Sequence, residues 1–285
     1  MRLGYNTNGL AHHSLPAAIR LLASLGYQSV AITIDHAALN PYDRRHEVEL
    51  EATGRLLAEL GMHSVIETGA RYLLDPLHKH QPTLVSPKAA GRPRRVEFLR
   101  HAVDMAAALG SDCVSLWSGA LPAGDARSDG LRRLVESLHT VLEYAQRKGV
   151  SLGFEPEPDM LIDTMASFEE LLEHVDSPRL GLTLDIGHLH CQGEVPIAEV
   201  IRRWHDRLLN VHIEDMRRGV HEHLLFGEGE IDFAPVVAAL AEVGYERGLH
   251  VELSRHSHVG PAAAGQAQAF LQPRLDAAMA KVSTH

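Results

Sequence analysis

The chain reads as one α/β domain folded as a (β/α)8 TIM barrel, and three observations predict it. Short apolar runs alternate with amphipathic helical patterns along the whole length, as parallel βαβ units require. Eight such runs occur in 285 residues, and a barrel needs about 250. No Gly-rich phosphate loop follows the first run, where a doubly wound open sheet usually carries one. The open sheet is the weaker architecture.

The strand candidates, in order, are RLGYN (2–6), QSVAITI (28–34), HSVIET (63–68), DCVSLWS (112–118), SLGFEPE (151–157), LGLTLD (180–185), LLNVHIED (208–215) and LHVELS (249–254). The first helix is expected over SLPAAIRLLASLG (14–26), with Ser14 as N-cap and Gly26 as stop. Further helical patterns occupy 96–110, 129–149, 167–175 and 233–244. The irregular segment ARYLLDPLHKHQPTLVSPKAAGRPRR (70–95) separates the third strand from the third helix. Long βα loops in barrels commonly cover the site, so this one is read as a lid, made partly basic by Arg71, His78, Lys79 and His80. No linker or shift in composition divides the chain, and residues 1–285 are read as a single domain.

A hydrophobic content of 45% supports a substantial core, while a formal charge of −10 argues against a nucleic-acid or anionic-membrane partner. Cys113 and Cys191 each lie in an apolar stretch and are expected to be reduced, buried thiols. The start, MRLGYNTNGL, lacks the apolar core of a signal peptide, and no apolar run is long enough to span a bilayer. A soluble, cytoplasmic protein is expected.

The C-terminal ends of barrel strands converge on one mouth. There the sequence places Glu155 and Glu157 after the fifth strand, and Asp185 with His188 after the sixth. The seventh contributes His212, Glu214 and Asp215, and the eighth Glu252. Acids and imidazoles at the ends of apolar runs are unfavourable unless something binds them. Glu155, Asp185, His212 and Glu252 would gather three carboxylates and one imidazole, and unpaired carboxylates in one cavity repel. One divalent ion removes that conflict. The oxygen-rich set suits Mn2+ or Mg2+ ahead of Co2+ or Zn2+.

A second cluster lies in RRGVHEHLLFGEGEID (217–232). His221 and His223 alternate, so an extended segment would point both to one side. With His188 they could hold a second metal ion or bind substrate hydroxyls. Trp117, at the end of the fourth strand, either offers an apolar face to a sugar ring or packs the barrel top. Asn6 and Glu67 either contact substrate or merely end their strands, and His190 has no assigned role.

The succession FEPEP, LDIGH, NVHIED, HEHLLFGEGEID and VELS resembles the xylose-isomerase-like TIM barrels. That family includes sugar isomerases and epimerases, inosose dehydratases and apurinic-site endonucleases. The resemblance implies that Glu155, Asp185, His212 and Glu252 are metal ligands and that His188 binds substrate. Arg218 matches the spacing of an arginine that acts on substrate oxygens, with Arg217 adjacent. Where the family carries a second glutamate after strand five, this chain has Leu161, and Glu157 lies much closer to Glu155. The endonuclease branch has histidines at the ends of strands three and four, where this chain offers Gly69 and Trp117. No nucleic-acid partner is therefore expected. The resemblance also implies a homo-oligomer.

The expected chemistry is proton transfer beside the carbonyl of a small-molecule sugar or cyclitol, with the metal stabilising an enediolate. Glu155 and Glu252, which the resemblance places on opposite sides of the metal, are the catalytic pair. Epimerase or isomerase activity is the first reading. Loss of a β-leaving group from the same intermediate would give a dehydratase or lyase. A noncatalytic binding barrel would call for loss of a ligand or base, and neither is lost. A substrate phosphate would call on Arg71, Lys79 or the Arg92–Arg95 stretch.

Overall fold

The computed structural model describes residues 1–87 and 91–282. All eight strand candidates form strands. They are β1 (Arg2–Asn6), β2 (Ser29–Thr33), β3 (His63–Glu67), β4 (Val114–Leu116), β5 (Leu152–Phe154), β6 (Leu180–Asp185) and β7 (Leu208–Ile213). A hairpin of β8 (Asp215–Arg217) and β9 (Val220–Leu224) follows, and β10 (Gly248–Val251) is the last barrel strand. The ring closes in the order β1-β10-β7-β6-β5-β4-β3-β2, and every pair in it is parallel. This is the (β/α)8 TIM barrel that the alternation predicts.

The helices are α1 (Leu15–Ser24), α2 (His46–Leu60), α3 (Gly91–Leu109), α4 (Arg127–Lys148), α5 (Met165–His174), α6 (Ile186–Gln192), α7 (Ile197–Trp204), α8 (Phe233–Glu242) and α9 (Gly260–Val282). Ser14 stands at the N-cap of α1 but makes no side-chain cap bond, and Pro16 supports the first turn instead. Thr164 caps α5 through a reciprocal pair of bonds with Ser167. Between strands and helices the core is apolar and aromatic. Phe154 on β5 stacks on Phe168 of α5 at 5.9 Å, and Phe168 meets Trp204 of α7 at 5.5 Å. Both cysteines are free and buried. No helix among the described residues is long and apolar enough to cross a membrane.

Two departures from the sequence reading concern the rim. Helix α3 already includes Gly91, so the expected lid over 70–95 is shorter, and its residues 88–90 lie outside the described ones. Arg95 is 1% exposed, donates to the Thr68 carbonyl at 2.8 Å and lies over the Trp117 and Phe98 rings. Secondly, Asp185 leads directly into the short helix α6 as its N-cap. The segment carrying His221 and His223 is extended, as read: it is strand β9, folded back on β8.

Register sets the level of the site. Asp185 pairs with His212, and His250 pairs with both His212 and Gly4. The polar residues at the ends of β6, β7 and β10 therefore stand side by side at the C-terminal mouth.

Candidate active site

The mouth opens into a cavity of about 680 Å³, lined among others by Glu155, Glu157, His188, His212, His221, His223, Glu252 and Trp117. The four expected ligands meet there. His212 Nδ1 lies 3.0 Å from Glu155 Oε1, 2.9 Å from Glu252 Oε2 and 3.8 Å from Asp185 Oδ2. Donor atoms of all four residues fall within 4.8 Å of one another.

Each is positioned by its own strand end. Glu155 follows β5 and bonds its backbone N–H to the Leu116 carbonyl at 2.8 Å. Asp185 ends β6, where its Oδ1 accepts the His188 backbone N–H at 2.7 Å and leaves Oδ2 for the cavity. His212 turns Nε2 away from the cluster, donating to Glu67 Oε1 at 2.9 Å. That bond puts a proton on Nε2 and turns Nδ1 toward three carboxylates. Burial pushes the imidazole down, but Glu155, Glu67 and Glu252 outweigh it and hold His212 well above its ordinary value.

The electrostatics of the cluster favour a cation. Burial pushes Glu155 up to about 8, despite the opposing pull of His212. Burial also pushes Glu252 upward, but His212 and the more distant His223 and His188 outweigh it and hold the carboxyl low. Glu157 is raised well above the carboxylate range by burial, then by the charges of Glu155, Glu252 and Asp185. Glu214, fully buried behind Asp185, is raised in the same way. Among the described residues, Asp185 Oδ2 and both Glu214 oxygens meet no N–H or hydroxyl donor. Only a proton held between the acids, or a cation, satisfies them. Three carboxylate donors and one imidazole fit a hard or borderline divalent ion.

The three cavity histidines also come together. His188 Nε2 lies 3.1 Å from His221 Nε2, and the His188 and His223 rings are 5.8 Å apart. His188 Nδ1 faces the Pro156 carbonyl at 3.3 Å, and His223 Nδ1 donates to the Glu252 carbonyl at 3.1 Å. Burial pushes His188 down to about 4 and shifts His221 the same way. Imidazoles clustered in this way can bind a second ion or substrate hydroxyls, and their donor atoms lie within 4.8 Å of one another.

Two expectations need correction. Arg218 is exposed on the turn of the β8–β9 hairpin, with its guanidinium against Gly193 and its backbone N–H on Glu230. It is not on the cavity wall. The hairpin carries it outward while β9 carries His221 and His223 inward. Arg217 is exposed too and donates to the Glu228 carbonyl. Arg92 and Arg95 also do not line the cavity. Arg92 donates to the Ser86 carbonyl, and Arg95 is buried over the Trp117 ring. Among the described residues, the Lys and Arg side chains that line the cavity are Arg71, Lys79 and Arg255.

Residues that the sequence left undecided or unnamed complete the site. Glu67 is the partner of His212, and Asn210 donates to the same Glu67 oxygen at 3.1 Å. Asn8 donates to Glu252 Oε1 at 2.7 Å. His80 reaches back from the loop after β3 to bond the Gly69 carbonyl at 2.6 Å, and its ring packs edge-on against Trp117 at 5.4 Å. A polar residue two positions before a ligand on one strand shares the ligand's face. That signal could have exposed Asn210. Nothing in the local sequence marks Asn8 or His80.

Comparison with known proteins agrees with this architecture. A family model described as xylose isomerase-like TIM barrel matches residues 19–274. L-ribulose-5-phosphate 3-epimerase of Shigella flexneri is 25% identical over 262 residues, covering 90% of this chain and 89% of the relative. Among solved structures, a D-tagatose 3-epimerase-like protein superposes with a TM-score of 0.81 at 23% identity, covering 99% of this chain and all of the other. An IolI protein crystallised with a zinc atom gives a TM-score of 0.78 at 17% identity, covering 96% of this chain and 98% of the other. The chain belongs to the xylose isomerase-like TIM-barrel family.

Proposed function

We propose that the protein is a divalent-metal-dependent epimerase or isomerase of a sugar or cyclitol, moving a proton on a carbon next to a carbonyl. The observation that carries this reading is the approach of Glu155 and Glu252 to His212 Nδ1, at 3.0 and 2.9 Å, with Asp185 beside them. Epimerases of free and phosphorylated ketoses among the chain's relatives point the same way. Glu155, Asp185, His212 and Glu252 would hold the ion, Mn2+ or Mg2+ by donor type. When bound, it supplies charge that stabilises the enediolate oxygens.

The chain's own residues do the rest. β5 and β10 flank the β6–β7 pair, so Glu155 and Glu252 approach the cavity from two sides. Glu252 removes the substrate proton and Glu155 returns one to the other face. His188, Glu157 and Trp117 line the same cavity and orient the sugar. His221 and His223 contact its hydroxyls or hold a second ion with His188.

Elimination by the same site is the second reading, with the histidine trio protonating a leaving group. Burial argues against it, because His188 pushed down to about 4 is neutral at pH 7. Incubation in D2O with a panel of ketoses, aldoses and inososes, followed by NMR, separates the outcomes. Deuterium entering beside the carbonyl with a changed configuration supports epimerisation, whereas loss of water supports elimination. Full activity of chelator-treated, metal-free protein would defeat the metal-dependent reading.

A further inference from the structure

Directly beneath the ligands the barrel interior is polar where an apolar layer would be expected. His250 on β10 and Asn210 on β7 are both 0% exposed, two residues before Glu252 and His212 on their strands. Their side chains therefore share the inward face with those ligands. His250 Nδ1 lies 2.7 Å from Asn210 Oδ1, and His250 Nε2 lies 2.8 Å from Ser29 Oγ. Asn210 Nδ2 lies 3.1 Å from Glu67 Oε1, the oxygen that also accepts from His212 Nε2.

Room is reserved for this ring. A Cβ added at Gly4 would sit 2.2 Å from His250 Cδ2, and one at Gly248 would sit 2.1 Å from His250 Cε1. Glycines on two neighbouring positions of the barrel thus form the slot that the imidazole fills. A buried histidine among core strands is unfavourable unless its hydrogen bonds do something an aliphatic side chain cannot.

The directions of the bonds follow from one end. The Glu67 carboxylate only accepts, so the Asn210 atom facing it is the amide nitrogen. Asn210 Oδ1 then faces His250, which must donate from Nδ1. A neutral imidazole that donates from Nδ1 accepts at Nε2, and the Ser29 hydroxyl donates there. Asn210 Nδ2 also lies 3.0 Å from His212 Nε2, and both nitrogens converge on Glu67 Oε1, so the chain runs unbroken from Ser29 to His212.

We infer that His250 is a positioning residue that, through Asn210 and Glu67, holds the His212 ring in one orientation, with Nε2–H on Glu67 and Nδ1 presented to Glu155, Asp185 and Glu252. The consequence for metal affinity rests on the metal-site reading proposed above, whereas the Nε2–H bond can be read without any ion.

The test uses the full chain with 15N-labelled histidine. In metal-free wild type, NMR should show a slowly exchanging His212 Nε2–H proton, the one held by Glu67. His250→Leu, close in size but without a donor, should lose or broaden that signal. Its dissociation constant for Mn2+, measured by chelator competition, should rise about 10- to 100-fold. His250→Gln keeps an N–H for Asn210 Oδ1 and should restore the affinity to within about threefold of wild type by the same logic. If the His250 variants do not fold, Asn210→Ala cuts the chain one link nearer and should reproduce the loss of the signal. An unchanged His212 Nε2–H signal and unchanged Mn2+ affinity in His250→Leu or Asn210→Ala would overturn the inference. Wild-type protein that binds no Mn2+ yet shows the protected Nε2–H proton would sink the metal-site reading and leave the positioning role standing.

Discussion

Asn8 donates its side-chain amide to Glu252 Oε1 at 2.7 Å, across the junction of β1 and β10. The turn after the first strand therefore holds the carboxylate proposed as the base. A hydrogen bond to a charged acceptor contributes about 1.5–3 kcal/mol. Asn8→Ala should lower kcat by about 10- to 100-fold, as those energies imply. Steady-state kinetics on the substrate found in the D2O screen would check this, and an unchanged kcat would show that Glu252 needs no such anchor.

Glu252→Gln and Glu155→Gln should each lower turnover by roughly three orders of magnitude or more, since each removes a group that moves the proton. Asp185→Asn should act differently. It leaves both proposed acid–base groups in place and weakens metal uptake, so excess Mn2+ should recover part of its activity. Titration of activity against Mn2+ distinguishes the two patterns.

Gly187 sits in the first turn of α6, where a Cβ would lie 2.0 Å from Glu214 Oε1 and 2.8 Å from Met216 Cε. Both neighbours are fully buried. Gly187→Ala should therefore destabilise the barrel by about 1–3 kcal/mol, the range for overpacking a filled interior. Urea denaturation measures it. A variant as stable as wild type would show that the Glu214 carboxyl moves freely.

Burial pushes His80 down to about 4 from an ordinary 6.5, against the bond to the Gly69 carbonyl. As pH falls below 6.5 the unfolded chain takes up this proton first, so stability is lost from 6.5 down through 4 and not further below. His80→Gln should lose about 2 kcal/mol less than wild type between pH 7 and 4.5, given 1.36 kcal/mol per pH unit. Denaturant curves at the two pH values would check it. Identical losses in both proteins would place the acid sensitivity elsewhere.

Arg218→Ala should leave kcat/KM within about twofold of wild type, as expected for an exposed side chain away from the reacting atoms. A large loss would mean that the β8–β9 hairpin rearranges when substrate binds.

The barrel was legible because its signal is periodic: an apolar run, a turn, a helix, eight times over. The same periodicity made the cluster legible, since strand ends converge and Glu155, Asp185, His212 and Glu252 all occupy such ends. Arg218 was misplaced because its position was carried over by spacing from His212, and a hairpin intervenes whose turn throws it outward. Arg95 was read as a phosphate candidate in the lid loop, yet it is buried on α3 over the Trp117 ring. Asn8 and His80 reach the cavity through tertiary folding of loops, which no local pattern encodes. His250 was hidden by its surroundings. It lies within an apolar run, and only the pairing with Gly4 across the β1–β10 seam shows the space made for it.

The four candidate ligands come from four different strand ends, β5, β6, β7 and β10. An ion held by all of them would act as a noncovalent crosslink across the second half of the barrel. Unfolding would have to release it, so mass action would couple the folding equilibrium to ion supply, adding about 2.7 kcal/mol at a hundredfold excess over Kd. The melting temperature of this barrel would then report the free concentration of its metal, and a cell starved of that ion would hold less folded protein as well as less active protein.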